Sequence, residues 1–344
     1  MRLRTILLYC LAAVVAIFLL AEVVTRCTGY RPYVPLAFDF KVEPEGKFFS
    51  PHPSLGYTHV PGHFQLTLPL GQTFTVTHGA DTFRLTEPPA TTAAAGSRPE
   101  IWIFGCSITH GWSVNDQETY PWLLHERLPR YRVVNFAVGG YGTIHGLIQL
   151  EEALARGQRP RVAIAAYGAW HNTRNICSRL YRKAVIPAVR LGPLMFPCGR
   201  LDHQGRLLIR HLQLDYDPWP FMDRSALIHR LEEVYLKKEG KFRQSLEVTG
   251  ALFLKMANLC RERGIIFVAA GIFDDRVTLE MMAHLKKQGI YTVDISVDPR
   301  TLERNYKSGH PNPQGHRDYA DKLAGFLQAF PPLAAPGPSP VAAP

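Results

Sequence analysis

Apolar and polar positions change their period several times along the chain, and each change marks a different kind of segment. Residues 6–24 are apolar apart from Glu22, with no polar stripe. Such a run reads as one helix, just long enough to cross a bilayer, which takes about 20 apolar residues. From residue 28 to about 95 the period is two, as in Phe64-Gln65-Leu66-Thr67-Leu68 and Thr73-Phe74-Thr75-Val76-Thr77. That alternation predicts short strands in a small β-rich segment. Residues 90–97 are small and polar and read as a linker.

Beyond residue 98 short continuous apolar runs alternate with helical periods. Residues 101–104, 133–136, 162–167, 265–270 and 291–295 read as buried strands. Parallel strands covered on both faces give such unbroken runs. Residues 144–156, 245–263 and 275–288 suit helices. Thr119 is placed to cap another, with Pro121 in its first turn, and Asn312 to cap a last one, with Pro313 at its first position. Tyr319, Leu323, Phe326 and Phe330 share one face of that last helix. Strand–helix alternation of this kind predicts an α/β fold with a doubly wound parallel sheet. Residues 173–244 break the rhythm with five prolines and a turn at Asp202-His203-Gln204-Gly205. They read as an insertion that forms a lid or a substrate wall. The domain expectation is therefore an anchor at 1–27, a β-rich extension and linker at 28–97, an α/β domain at 98–330, and a disordered Pro/Ala tail at 331–344.

Composition adds little to this; charge and cysteines add more. With 344 residues, 46% hydrophobic and 20% charged, the chain is globular. The formal net charge of +10 fits either a solvated basic face or attraction to an anionic lipid surface or acidic glycan. No Lys/Arg-rich run or stacking-aromatic pattern points to nucleic acid. Arg2 and Arg4 precede the apolar run and Arg26 follows it. No small-residue cleavage site closes the run, so it reads as an uncleaved anchor with its N-terminus in the cytoplasm and the body outside, in a periplasm if the cell is Gram-negative. Six cysteines include Cys177 and Cys198 around one Pro-rich loop, a possible disulfide in an oxidising compartment. Their spacing matches no zinc pattern, and no metal or cofactor is expected.

Four clusters fall at strand ends or just before a helix, where ligands bind in open α/β sheets. Gly105-Cys106-Ser107-Ile108-Thr109-His110-Gly111 follows the first strand of the α/β region. Asn135-Phe136-Ala137-Val138-Gly139-Gly140 follows the second. Gly168-Ala169-Trp170-His171-Asn172 follows the third. His310-Pro311-Asn312-Pro313 precedes the last helix. Singly, these would be a helix cap, a plain turn, a capped loop and a surface histidine. Together they supply a nucleophile, two donors for an oxyanion and a base.

Their order and wording resemble the SGNH/GDSL hydrolases, whose blocks carry Gly-Asp-Ser, Asn and Gly, Asn, and an Asp shortly before His-Pro. The likeness spans roughly residues 100–330. Pro51-His52-Pro53-Ser54-Leu55-Gly56-Tyr57 and Val60-Pro61-Gly62 also resemble the N-terminal extension of the bacterial anchored or secreted branch. The resemblance implies a flavodoxin-like three-layer fold and a serine esterase. Ser107 would be the nucleophile and His310 its base. The N–H groups of Ser107 and Gly140 and the side chain of Asn172 would form the oxyanion hole, with His171 competing for the last place. The expected substrate is a small acyl ester, an acetyl group for instance, on an envelope glycan or lipid.

This chain departs from the family in three ways. Cys106 stands where the family has Asp, and its side chain is expected to point away from that of Ser107. The third block slides in register. Lys307 and Ser308 occupy the positions where an Asp would orient His310. A backbone carbonyl, Asp294 or Asp298 is then the expected substitute. Acyl transfer by the same residues, or a silent membrane-tethered binding module that lost its acid, stays open beside hydrolysis. The oligomeric state is not encoded in these motifs.

Overall fold

The computed structural model describes residues 2–35, 40–69, 71–88, 98–298, 300, 309–330 and 333. The linker expected at 90–97 and the expected tail, Leu333 apart, lie outside the described residues. Helix α1, Arg2–Cys27, covers the whole apolar run; from Leu3 to Cys27 it is long and apolar enough to cross a membrane, and that span is not buried by the rest of the protein. Its last turn nevertheless docks. The Glu22 carboxylate accepts hydrogen bonds from the N–H groups of Ala226 and Leu227 and from Ser225 Oγ.

Five short strands follow: β1 Lys41–Glu43, β2 Phe49–His52, β3 Gly56–His59, β4 Gly62–Thr67 and β5 Thr73–His78. They form a three-stranded sheet, β1-β4-β5, and a hairpin, β2-β3. All pairings are antiparallel, and the side chains of β4 and β5 alternate between core and surface, as the period of two predicts.

The remainder runs β6 Glu100–Phe104, α2 Ser107–His110, α3 Tyr120–Arg127, β7 Arg132–Asn135, α4 Thr143–Ala155, β8 Val162–Tyr167, α5 His171–Asn175, α6 Arg179–Val189, β9 Leu194–Leu201, β10 Leu207–Leu214, α7 Ala226–Phe242, α8 Ser245–Arg261, β11 Ile266–Gly271, α9 Arg276–Lys287, β12 Tyr291–Asp294 and α10 Pro313–Ala329. The central sheet has the order β7-β6-β8-β11-β12, parallel throughout. This is the 2-1-3-4-5 order of flavodoxin-like folds. Side chains of β6 and β8 divide cleanly between two cores. Trp102, Phe104, Ala163 and Tyr167 pack towards α4, α8 and the N-terminal strands. Ile101, Ile103, Val162 and Ile164 pack with Tyr120 and Leu124 of α3 and Tyr319 and Leu323 of α10. Three layers result, and the continuous apolar strands follow from burial on both faces. The helix caps form as expected: Thr119 accepts from Trp122 N, and Asn312 Oδ1 from Gly315 N.

The expected irregular insertion is more regular than its prolines suggest. Pro187 lies inside α6, which ends two residues later at Val189. A proline near the end of a helix forfeits one hydrogen bond and leaves the preceding turns intact. β9 and β10 pair as a long hairpin, turned at Asp202 to Gly205. Cys177 and Cys198 are joined in a disulfide. The buried Glu232 of α7 accepts from Arg179 Nε and Lys183 Nζ of α6, each at 2.6 Å, and from Tyr216 Oη at 2.7 Å.

Candidate active site

The strand order reverses direction between β6 and β8, and the carboxyl ends of those strands open the crevice in which ligands of such sheets bind. Ser107 opens α2 immediately after β6, held there by a tight turn. A Cβ on Gly105 would collide with the side chain of Thr109, so only glycine lets the chain fold back at that point. Cys106 is fully buried on the opposite side, in the core with Tyr120 and Tyr319. It cannot share the crevice with Ser107, as expected.

His310 comes from the far end of the sequence. Its Nε2 lies 2.8 Å from Ser107 Oγ across 203 residues of chain. Gly309 before it takes φ +65°, and Pro311 and the Asn312 cap after it fix where α10 begins. Of the acids weighed as substitutes for the missing Asp, Asp294 accepts from Ser296 N at 2.9 Å and Asp298 pairs with Arg300. Lys307 and Ser308 lie outside the described residues.

Gly139 and Gly140 close on the serine from the neighbouring strand end. A Cβ on Gly139 would sit 3.9 Å from that of Ser107. Gly140 has φ +86°, a left-handed conformation that favours glycine. Tyr57 of β3 donates to the Gly139 carbonyl at 2.7 Å, and a Cβ on Gly140 would strike its hydroxyl. The β-rich segment thus fixes the glycine pair against the Ser107 turn.

The third cluster is arranged differently from its simplest reading. Asn172 and His171 are both buried, and neither lines the cavity beside Ser107. Asn172 Oδ1 accepts from Tyr167 Oη at 3.0 Å, and His171 Nδ1 lies 3.3 Å from Thr143 Oγ1. Burial holds His171 well below the usual histidine range, with the Arg174 charge adding to it. Trp170, Thr173 and Arg174 of the same stretch face the cavity instead. Arg174 donates to the Tyr141 carbonyl at 2.8 Å. Spacing alone could not have found these three, because the side on which a five-residue helix presents each residue is set by its packing.

The cavity they share with Ser107 and His310 is about 310 Å³. One wall is the sheet edge. The second is α6 and the third comes from the N-terminal segment, through Phe40, Phe49 and Tyr57.

Behind the Ser107 turn lies a buried group of three histidines. His59 and His78 belong to β3 and β5, and His110 is the last residue of α2. Their ligand atoms lie within 4.8 Å of one another. The His59 and His78 rings are stacked, with centroids 4.1 Å apart and planes 13° apart. Nitrogen lone pairs lie in the ring plane, so two near-parallel rings cannot both point at one ion about 2.0–2.1 Å away. The arrangement fits a packed neutral stack, in which His78 Nε2 and His110 Nε2 share a hydrogen bond of 3.0 Å. Burial pushes His78 down to about 3, helped by the charge of Arg84, and holds His59 and His110 well below the usual range.

Arg84 is the other brace. Fully buried, it pairs with Asp116 at 2.9 Å and donates to the carbonyls of His110, Gly111, Thr75 and Val114. It therefore ties the end of α2 to β5.

Comparison with known families finds no match, and comparison with curated proteins finds none either. Among solved structures the chain is similar to a member of the lipolytic G-D-S-L family from Veillonella parvula, at 16% identity and TM-score 0.36, covering 67% of this chain and 97% of that one. It is similar to the psychrotrophic esterase EstA from Pseudoalteromonas sp., at 11% identity and TM-score 0.39, covering 67% and 97%. A third is AlinE4, an SGNH-hydrolase family esterase, at 15% identity and TM-score 0.36, covering 69% and 100%.

Proposed function

We propose that this chain is a membrane-anchored serine ester hydrolase acting on an acyl ester of an envelope lipid or glycan. The observation that carries the reading is the 2.8 Å contact between Ser107 Oγ and His310 Nε2 in a cavity that Gly140 also lines. A serine hydroxyl is a weak nucleophile until a positioned base takes its proton. His310 Nε2 takes that proton as Oγ attacks the ester carbonyl. The N–H groups of Ser107 and Gly140 donate to the oxyanion. The carbon–oxygen bond to the alcohol then breaks, and His310 returns the proton to the departing alcohol. Water, deprotonated by His310, releases the acid and restores Ser107. Asn172 lies behind the cavity lining, where its Oδ1 accepts from Tyr167 Oη. Helix α1 is the anchor. The basic residues of its first turn, Arg2 and Arg4, favour a cytoplasmic N-terminus, and the Cys177–Cys198 disulfide suits an oxidising compartment for the body.

The test is a fluorophosphonate probe on the full chain in phospholipid nanodiscs, with the adduct mapped by mass. Ser107 should be labelled. Ser107→Ala and His310→Ala should each lose the label and at least about 10³-fold in ester turnover. A folded protein that takes no label is the silent module, and the hydrolase reading then falls.

A further inference from the structure

The cavity is larger and more apolar than an acetyl group requires. Its α6 wall presents Leu180, Ala184, Val185, Ala188 and Val189, the stripe one helix face provides when residues recur at intervals of three to five. The sheet-edge end holds the polar groups: Ser107, His310, Thr173 and Arg174. The α6 face passes next to the chemistry at its middle, since Val185 would lie 3.4 Å from a Cβ on Gly140. It runs away from there along small residues. Alanines at 184 and 188 leave open space where larger side chains would fill it. Leu180, 44% exposed, stands at the mouth. Phe40, Phe49 and Trp112 close the opposite side with rings.

We propose that the acyl group transferred to Ser107 is an unbranched apolar chain of medium length, seated along this face, with Ala188 setting its limit. The proposal rests on the hydrolase reading and names its substrate class. A volume of 310 Å³ sits at the lower end of small-molecule pockets, roughly 300–1,000 Å³, and corresponds to about ten water-sized volumes. An acetyl group would leave most of it empty, so a chain of about six to ten carbons fits better. Apolar cavities gain by being filled: each methylene withdrawn from water is worth about 0.8 kcal/mol, or about fourfold in kcat/KM. The insertion is rigid enough to keep this shape, because α6 is held to α7 through Glu232 and the segment before it is tied to β9 through Cys177–Cys198.

The experiment is a chain-length series of p-nitrophenyl esters, acetyl to dodecanoyl, on the full chain in nanodiscs, with Ser107 labelling measured in parallel. The octanoyl ester should exceed the acetyl ester in kcat/KM by at least about tenfold. In Ala188→Phe that ratio should fall at least about tenfold and the optimum should move to shorter chains. Ala184→Phe, nearer the mouth, is the second variant should the first misfold. A labelled wild-type enzyme that prefers acetyl, or a preference unmoved by a folded Ala188→Phe or Ala184→Phe, overturns the proposal and leaves the hydrolase reading standing. No label and no turnover with any ester overturns both.

Discussion

Two additions to the sheet flank the same serine, and they are built on opposite principles. The N-terminal β-rich segment meets the Ser107 turn with buried polar groups: Arg84, Asp116 and the cluster of His59, His78 and His110. Helix α6 of the insertion meets the cavity chiefly with aliphatic side chains, while its Arg179 and Lys183 pair with Glu232 of α7. A buried hydrogen-bonded network is directional and fails as a unit. An aliphatic wall is tolerant of local change. The first arrangement suits the placing of a nucleophile and the second the shaping of a pocket, and the two should respond differently to acid, to mutation and to reduction.

Acid should separate them most. The three clustered histidines are neutral when folded and titrate at about 6.5 when unfolded. A depressed folded value means that the unfolded state binds more protons below that pH. Stability is therefore complete above about pH 6.5 and is lost as pH falls, down to about 3 for His78. Each site costs about 1.4 kcal/mol per pH unit over the range in which only the unfolded chain takes up its proton. The Nδ1 atoms of His59 and His110 have no hydrogen-bond partner among the described residues, so a proton added there gains no acceptor. In the insertion Glu232 responds in the same direction but over a lower pH window. Although burial raises it, hydrogen bonds from Lys183, Tyr216 and Arg179 hold it below its ordinary 4.5, so its contribution persists until pH drops below that value. Hydrogen exchange at pH 7, 6 and 5 should show β3, β5 and α2 opening at pH 5 while α7 stays protected. Equal protection of both at pH 5 would show that the histidine stack carries no such cost.

These braces were the part of the molecule least legible from its residues. Ser107 and His310 stood out because each sits beside glycine or proline at a strand end or before a helix, a local signal. The parallel sheet was legible because burial on both faces writes unbroken apolar runs, from Ile101 to Phe104 and from Val162 to Tyr167. Nothing local announces that Arg84 will cross to Asp116, or that histidines at 59, 78 and 110 will pack together. Those contacts exist only once β3, β5 and α2 have assembled. The α6 wall was hidden for another reason. Its lysine, its arginines and Pro187 mask the apolar stripe until the direction of the helix is known. Which residues of the stretch from Trp170 to Arg174 face the cavity was hidden because α5 is too short for a period to say which residue faces inward.

Mutation should give the next largest contrast. Arg84→Met keeps the volume but leaves Asp116 and four carbonyls without their donor. Removing one partner of a buried pair costs about 3–5 kcal/mol. The melting temperature should fall by about 6 °C or more, and Ser107 labelling should slow even below the melting point, because His110 and Gly111 lose their tether. Labelling at the wild-type rate in a folded Arg84→Met protein would mean that the turn holds itself.

Reduction should have the smallest effect and fall on the other side of the cavity. Cys177 and Cys198 close a loop with a sequence separation of 21. A loop of that size is worth about 3 kcal/mol on the chain-entropy account. The paired Cys177→Ser, Cys198→Ser variant should melt about 5–10 °C lower. Well below that temperature the α6 wall is less firmly held, while the nucleophile turn keeps its Arg84 and histidine braces. Ser107 should thus react with a small fluorophosphonate near the wild-type rate, and the discrimination between octanoyl and acetyl esters should narrow. The reverse result, slow labelling with unchanged discrimination, would show that the insertion positions the serine and that the division of labour drawn here is wrong.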